Sequence, residues 1–261
     1  MADDIAGRGD LTRILQLLWG KTDAPRRGPK PKVSLKEIVA AAVAIADTDG
    51  LDAVSTRRVA EAVGISPMSF YTHVPGKAEL LDLMVDHISG PGTEAPPGWE
   101  SMGWRQRLAV IAKALWTHYL AHPWALQVET HRPVLGPNIM ASYEVALSAV
   151  EGIGLSDIEM DLTITALANY VHGAVGSAAR AQTVREQTGM SDDEWWYAIA
   201  PFFEHLDFSA YPISSRVGSA AGETYGLGDP DRAFLFGLER FLDGVEVMLA
   251  RKRHEPSEGT R

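Results

Sequence analysis

The 261-residue chain is predicted to be all-α, with a small N-terminal helical unit followed by a larger helical domain. Three observations predict this class. Apolar residues recur at three- and four-residue spacing through most of the chain, and no useful length alternates as a strand would. Two capping boxes, Ser34 with Glu37 and Ser156 with Glu159, mark helix starts. Proline and glycine, 15 and 24 residues, fall between the periodic segments as punctuation.

Composition excludes several classes. Hydrophobic content of 46% and charged content of 22% are those of an ordinary globular chain, not of a disordered one. The absence of cysteine rules out a disulfide scaffold and thiolate chemistry. The N-terminus is acidic, and the short apolar run 11–19 is broken by Thr12, Arg13 and Gln16, too polar for a signal-peptide core. Nothing approaches the ~18 apolar residues of a membrane span. A cytoplasmic location is expected.

Residues 10–20 read as a short helix with Leu11, Ile14, Leu15 and Leu18 on one face. Residues 21–32 hold Pro25, Pro29 and Pro31 and read as an extended linker. The Ser34 box opens a helix with Ile38, Ala41, Ala42, Ile45 and Ala46 inward, and Gly50 stops it. Ser55-Thr56 opens a second helix through Val63, stopped by Gly64. Ser66-Pro67 opens a third, serine as N-cap and proline at the first helical position, and Pro75-Gly76 ends it. A fourth runs from Lys77 to about Ser89, with Leu80, Leu81, Met84, Val85 and Ile88 apolar. Residues 90–98 form a connector. Helices follow near 104–121, 123–130, 137–152, 156–187, 191–205 and 230–253, and the Gly/Ser/Tyr-rich stretch 207–229 reads as a long loop.

The net charge of −10 alone argues against a nucleic-acid partner. Its distribution argues otherwise. Residues 26–77 carry net +3, whereas residues 91–250 carry net −11. A basic segment inside an acidic chain points to a nucleic-acid-binding unit attached to a domain with another task.

The second helix, the turn Val63-Gly64-Ile65-Ser66 and the short third helix form a helix-turn-helix pattern. The third helix presents Pro67, Met68, Ser69, Tyr71, Thr72 and His73, and no acidic residue occurs from Ile65 to Ala78. A surface aimed at phosphates must lack carboxylates. The chain here resembles the tetracycline-repressor (TetR) family of bacterial transcriptional regulators. The resemblance is carried by Ile38-Val39-Ala40-Ala41-Ala42, Asp49-Gly50-Leu51, Ser55-Thr56-Arg57-Arg58-Val59-Ala60, Val63-Gly64-Ile65, Phe70-Tyr71-Thr72-His73-Val74 and Lys77-Ala78-Glu79-Leu80-Leu81. More weakly, His122-Pro123-Trp124, Arg132-Pro133-Val134-Leu135-Gly136-Pro137-Asn138 and residues 230–250 resemble the actinobacterial branch closest to the tetracycline repressor itself.

The resemblance implies a three-helix DNA-binding head over 33–90, a ligand-binding and dimerisation domain over 91–253, an extension with a basic arm over 1–32 and a tail over 254–261. It implies that Arg57 reaches guanine in the major groove, that Thr56 suits a phosphate, and that Pro67, Met68 and Thr72 stand at base-contacting positions. Ser69, Tyr71, His73 and Lys77 suit phosphate oxygens. Phe70 reads as core. The segment Arg26-Arg27-Gly28-Pro29-Lys30-Pro31-Lys32 puts four cations, Arg26, Arg27, Lys30 and Lys32, on a proline-stiffened backbone suited to a narrow minor groove.

In the second domain, residues 157–187 and 231–252 are assigned to a four-helix dimer interface, through Ala166, Tyr170, Gly173, Ala174, Ser177 and Ala178 on one helix. On the other they act through Phe234, Leu238, Phe241, Leu242, Val245 and Leu249. Ligand-pocket candidates are Trp116, Tyr119, Trp124, Asn169, His172, Trp196, Phe202 and Phe203, aromatic and polar groups suited to an apolar cavity. His118 and His122 have an i, i+4 ligand spacing, but Pro123 ends their helix and no carboxylate pair follows, so no metal or other cofactor is expected. No G-x-S-x-G, P-loop, H-E-x-x-H or paired catalytic carboxylates occur, so an enzyme is not expected.

The expected function is a ligand-responsive repressor that binds a palindromic DNA operator as a homodimer and is released by a small hydrophobic or aromatic molecule. Such a protein is nucleoid-associated when bound to DNA and has no membrane partner. An activator or architectural DNA binder with the same head is the alternative.

Overall fold

The structure is a computed structural model that describes residues 10–21, 33–92, 94–128, 134–203 and 205–254. Eleven α-helices and no strand occur among the described residues. The first five are α1 (Leu11–Leu18), α2 (Leu35–Asp49), α3 (Thr56–Ala62), α4 (Pro67–His73) and α5 (Lys77–Ile88). The next six are α6 (Trp104–Ala121), α7 (Pro137–Ser148), α8 (Asp157–Thr188), α9 (Asp192–Phe203), α10 (Pro212–Tyr225) and α11 (Pro230–His254).

Local chemistry sets the boundaries. Ser34 Oγ accepts from Glu37 N at 3.2 Å while Glu37 Oε2 accepts from Ser34 N at 2.7 Å, so the capping box is closed in both directions. The box at Ser156 and Glu159 closes the same way. Gly50 and Gly64 follow α2 and α3 at φ of 83° and 70°, a conformation that a side chain disfavours.

Two apolar cores form. In the first, Ile38, Val59, Phe70, Leu80, Leu81 and Met84 are fully buried among α2–α5, and Ile14 and Leu17 of α1 close over α5. That core also takes in Trp124, Val128 and Val134 from the segment between α6 and α7. The second core lies among α6, α7, α8 and α11, around Leu108, Trp116, Leu167, Val171, Phe234, Leu238 and Leu242. Polar ties reinforce it. Arg105 of α6 reaches Glu239, Asp243 and Glu246 of α11 at 2.6, 2.7 and 3.2 Å, and Lys252 near the end of α11 pairs with Glu159 in the first turn of α8.

Three expectations are corrected. Residues 207–229 are not one long loop, because α10 occupies Pro212–Tyr225 with proline at its first position. Its Ser and Gly content disguises it from composition. Residues 123–127 form a 3-10 helix rather than an α-helix. On α11, Phe234, Leu238, Leu242, Val245 and Leu249 are buried within the protomer against α8 and α6, so that stripe is intramolecular core and not free for a partner.

Candidate nucleic-acid interface and ligand site

Helices α3 and α4 form the helix-turn-helix. Ser55 Oγ accepts from Arg58 N at 3.2 Å, and Ser66 Oγ accepts from Ser69 N at 3.1 Å, so each helix starts on a serine cap. Ile65 N donates to Ala60 O at 2.9 Å and closes the turn around Gly64. Phe70 is fully buried and fixes α4 to the core, leaving the opposite face outward.

On that face Met68 is 78% exposed and Tyr71 50%. Pro67 and Thr72 are also exposed, and Ser69, His73 and Lys77 are half-buried. Tyr71 OH lies 3.2 Å from Thr56 Oγ1, which joins the outer faces of α3 and α4. Thr72 Oγ1 donates to Ser69 O at 2.6 Å, so its hydroxyl is engaged within the helix and its methyl is what it presents. Arg57 is exposed, whereas Arg58 is paired with Asp49 of α2. Thr56, Arg57, Pro67, Met68, Ser69, Tyr71, Thr72, His73 and Lys77 thus belong to one contiguous unit. Arg26, Arg27, Lys30 and Lys32 lie outside the described residues.

The eight ligand candidates separate into four places. Trp116 and Tyr119 lie along α6, where Trp116 packs toward α11 and Tyr119 toward His172 of α8. Trp116 stacks on Phe234 with ring centroids 4.4 Å apart, and Phe234 stacks on Tyr170 at 6.1 Å. Tyr119 meets the edge of His172 at 5.5 Å, and burial pushes its phenol pKa up. His118, beside Tyr119, is pushed down to about 4 by burial and by the neighbouring His122. Asn169 stands on the exposed face of α8. Trp196 and Phe203 belong to a separate aromatic group with Phe208, at 5.8 and 5.7 Å, and Phe202 is exposed on the same helix. Trp124 lies in the first core, where its Nε1 donates to Asp47 Oδ1 at 2.7 Å.

Sequence reasoning missed Phe234 as the stacking partner of Trp116, since periodicity alone assigned it to a dimer face. It also missed Asp86, 5% exposed on the apolar side of α5. Asp86 accepts from Asn138 N, Asn138 Nδ2 and Ile139 N at 3.0, 3.2 and 3.1 Å, and so caps α7 from another helix. An aspartate inside an apolar helical stripe was the available signal. Among the described residues no cluster of three or more His, Asp or Glu is placed to hold a metal ion, and no helix is long and apolar enough to cross a membrane.

Residues 38–84 match the family described as bacterial regulatory proteins, tetR family, and residues 97–249 match the tetracyclin repressor-like C-terminal domain. The chain belongs to the TetR family. It is 42% identical over 254 residues to the HTH-type transcriptional repressor DrrR1 of Streptomyces coeruleorubidus, covering 97% of this chain and 92% of that protein. It is similar to the Streptomyces coelicolor TetR regulator SCO7222, at 26% identity and a TM-score of 0.65, covering 86% of this chain and 100% of that one. The structure of the TetR family protein ActR from the same organism, in complex with actinorhodin, matches at 29% identity and a TM-score of 0.65, covering 82% of this chain and 95% of that one. As a TetR-family member the protein is a DNA-binding helix-turn-helix transcriptional regulator and not an enzyme.

Proposed function

We propose that this TetR-family regulator is a homodimeric repressor of a palindromic operator, released by a small, flat, hydrophobic aromatic molecule. The observation that carries the reading is the position of the Trp116–Phe234–Tyr170 stack and Tyr119. They sit on α6 and its packing partners, and α6 ends at Ala121, next to the segment built into the core of the DNA-reading head. A ligand that reorders these rings acts on a helix whose end touches that head, which is how a binding event biases the DNA-competent state. The name of DrrR1 as a repressor and the actinorhodin held by ActR support the two halves of the reading.

In this reading Arg57 reads guanine, Pro67, Met68 and Thr72 face base edges, and Thr56, Ser69, Tyr71, His73 and Lys77 hold phosphates. The cations of 26–32 add affinity in the minor groove. Half-sites one helical turn apart, ~34–36 Å, require two heads on one two-fold axis. The faces of α8 and α11 left open in the protomer supply the contact. Ile158, Leu162, Ala166, Gly173 and Ser177 lie on one, and Leu235, Phe236 and Val247 on the other. No residue of α9 or α10 is buried, and Trp195, Trp196, Tyr197, Phe202, Ile213 and Val217 are exposed there, an apolar area that a monomer rarely leaves open.

The test is a gel shift with the DNA upstream of the protein's own gene. Two protomers are expected per pair of inverted half-sites, and a thermal-shift screen of small aromatic molecules, actinorhodin among them, is expected to find compounds that also release the DNA. Equal affinity for this DNA and for random duplex, at low and moderate salt alike, defeats the repressor reading. Retention of ligand-induced stabilisation by Trp116→Ala defeats the pocket assignment.

A further inference from the structure

The head of α1–α5 is held to the body at three separate joints besides the covalent connector, and each lands on the segment between α6 and the start of α7. At the end of α2, Asp47 Oδ1 accepts from Trp124 Nε1 at 2.7 Å and from His122 Nδ1 at 2.8 Å. Toward the end of α5, Asp86 caps α7 through Asn138 N and Ile139 N, and Ser89 O accepts from Ser142 Oγ at 3.0 Å. At the end of α1, Trp19 Nε1 donates to Leu135 O at 2.9 Å. The helix α1 is itself fixed to the head, because Ile14 and Leu17 are buried over α5 and Asp10 N donates to Glu79 Oε1 at 3.2 Å.

One flexible connector leaves a domain free to rotate, and relative motion is then the default. Attachments on three helices fix both tilt and twist of one body against another. The joints are polar and directional, so they specify an angle, while Trp124, Val128 and Val134 fill the apolar space between them. The aspect that α4 presents to DNA is therefore set where residues 122–128 and 134–142 meet α1, α2 and α5.

We propose that Asp47, Asp86 and Trp19 are positioning residues that fix the head on the body and thereby fix the operator half-site spacing the protein accepts. The proposal rests on the homodimeric reading above. Inserting one base pair between half-sites moves one of them by ~3.4 Å along the axis and turns it by ~35°. Two rigidly mounted heads cannot follow that change. Loosely mounted heads can.

The experiment selects an operator from random duplex with the full chain, then measures binding to it with the central spacer shortened or lengthened by one base pair. The variants are Asp47→Ala, Trp19→Phe and the pair combined. Trp19→Phe keeps an aromatic ring at a half-exposed position and removes the indole five-membered ring with its N–H donor, so it tests the proposal even if Asp47→Ala folds poorly. The wild type is expected to prefer its own spacing by about tenfold or more, and the combined variant by about threefold or less. The variants are also expected to bind the preferred spacing within about threefold of wild type. A purely structural role lowers thermal stability and weakens all spacings alike, so unchanged spacing ratios in Trp19→Phe and the combined variant overturn the proposal. A wild type that selects no paired half-sites overturns the homodimeric reading and this inference with it.

Discussion

Replacing Asp86 by alanine is expected to lower the melting temperature by about 5–10 °C. The carboxylate accepts from two backbone N–H groups in the first turn of α7 and from one side-chain amide, at 3.0–3.2 Å, and is 5% exposed. A buried donor left without a partner costs ~1–3 kcal/mol. Removing the carboxylate offsets part of that, because its own burial is unfavourable and the space it leaves admits water to one donor. A net loss of ~2–3 kcal/mol follows, and each kcal/mol shifts a domain of this size by ~2–4 °C. Far-UV circular dichroism melts at pH 7 measure it, with Asp86→Asn, which keeps an acceptor, expected to lose less than half as much. An Asp86→Ala protein that melts within about 1 °C of wild type refutes the reasoning. The titration has a definite sign. Burial raises the Asp86 carboxyl above its ordinary 3.8 and outweighs the bonds that lower it. The folded state then holds the proton more tightly than the unfolded one, so this group's contribution is full below 3.8 and is lost as pH rises through the folded value. Asp86→Asn removes that part of the pH dependence.

Arg57→Ala is expected to cost ~1–3 kcal/mol of operator binding and to relax base preference at one position, measured by fluorescence anisotropy. Arg58→Ala is expected to cost less, since that guanidinium is already paired with Asp49. Lys252 and the Ser156 cap hold the Glu159 carboxyl at about 2, below its ordinary 4.5. Its contribution is present above pH 4.5 and lost as pH falls toward 2, so Glu159→Gln should flatten the acid limb of urea midpoints against pH. A Cβ on Gly237 would lie 2.4 Å from Tyr170 OH and 2.8 Å from its ring, and that hydroxyl donates to Phe234 O at 2.6 Å. Gly237→Ala should therefore destabilise by ~1–3 kcal/mol, and a double-mutant cycle with Tyr170→Ala should recover much of it.

Helix starts and stops were legible because their signals are local. Ser34 and Ser156 sit three residues from the glutamates that answer them, and Gly50 and Gly64 end helices by backbone conformation alone. The helix-turn-helix was legible for the same reason, its two serine caps and its turn falling within a dozen residues. A third capping box, Ser191 with Glu194, is equally local. What sequence could not convey was long-range choice. Trp124 and Trp116 are the same residue type near the same helix, yet one donates to Asp47, 77 residues away, and the other stacks on Phe234. The inward stripe of α11 has the spacing of an interface and of a core alike, and only the packing of α6 and α8 against it decides. The serines and glycines of α10 lower helix propensity, and its start rests on Pro212.

The intrusion of Trp124, Val128 and Val134 into the N-terminal core bears on transplantation. Exchanging DNA-reading segments between relatives would pair one regulator's operator with another's effector, and a cut near residue 90 is the natural choice from the motif alone. In this protein such a graft would bring a foreign socket to Trp124, 1% exposed here, and forfeit the aspartate that orients its indole. An emptied tryptophan site costs ~3–5 kcal/mol, a large share of the stability of a typical domain. A chimera that carries residues 122–139 along with the head keeps the socket and its occupant together.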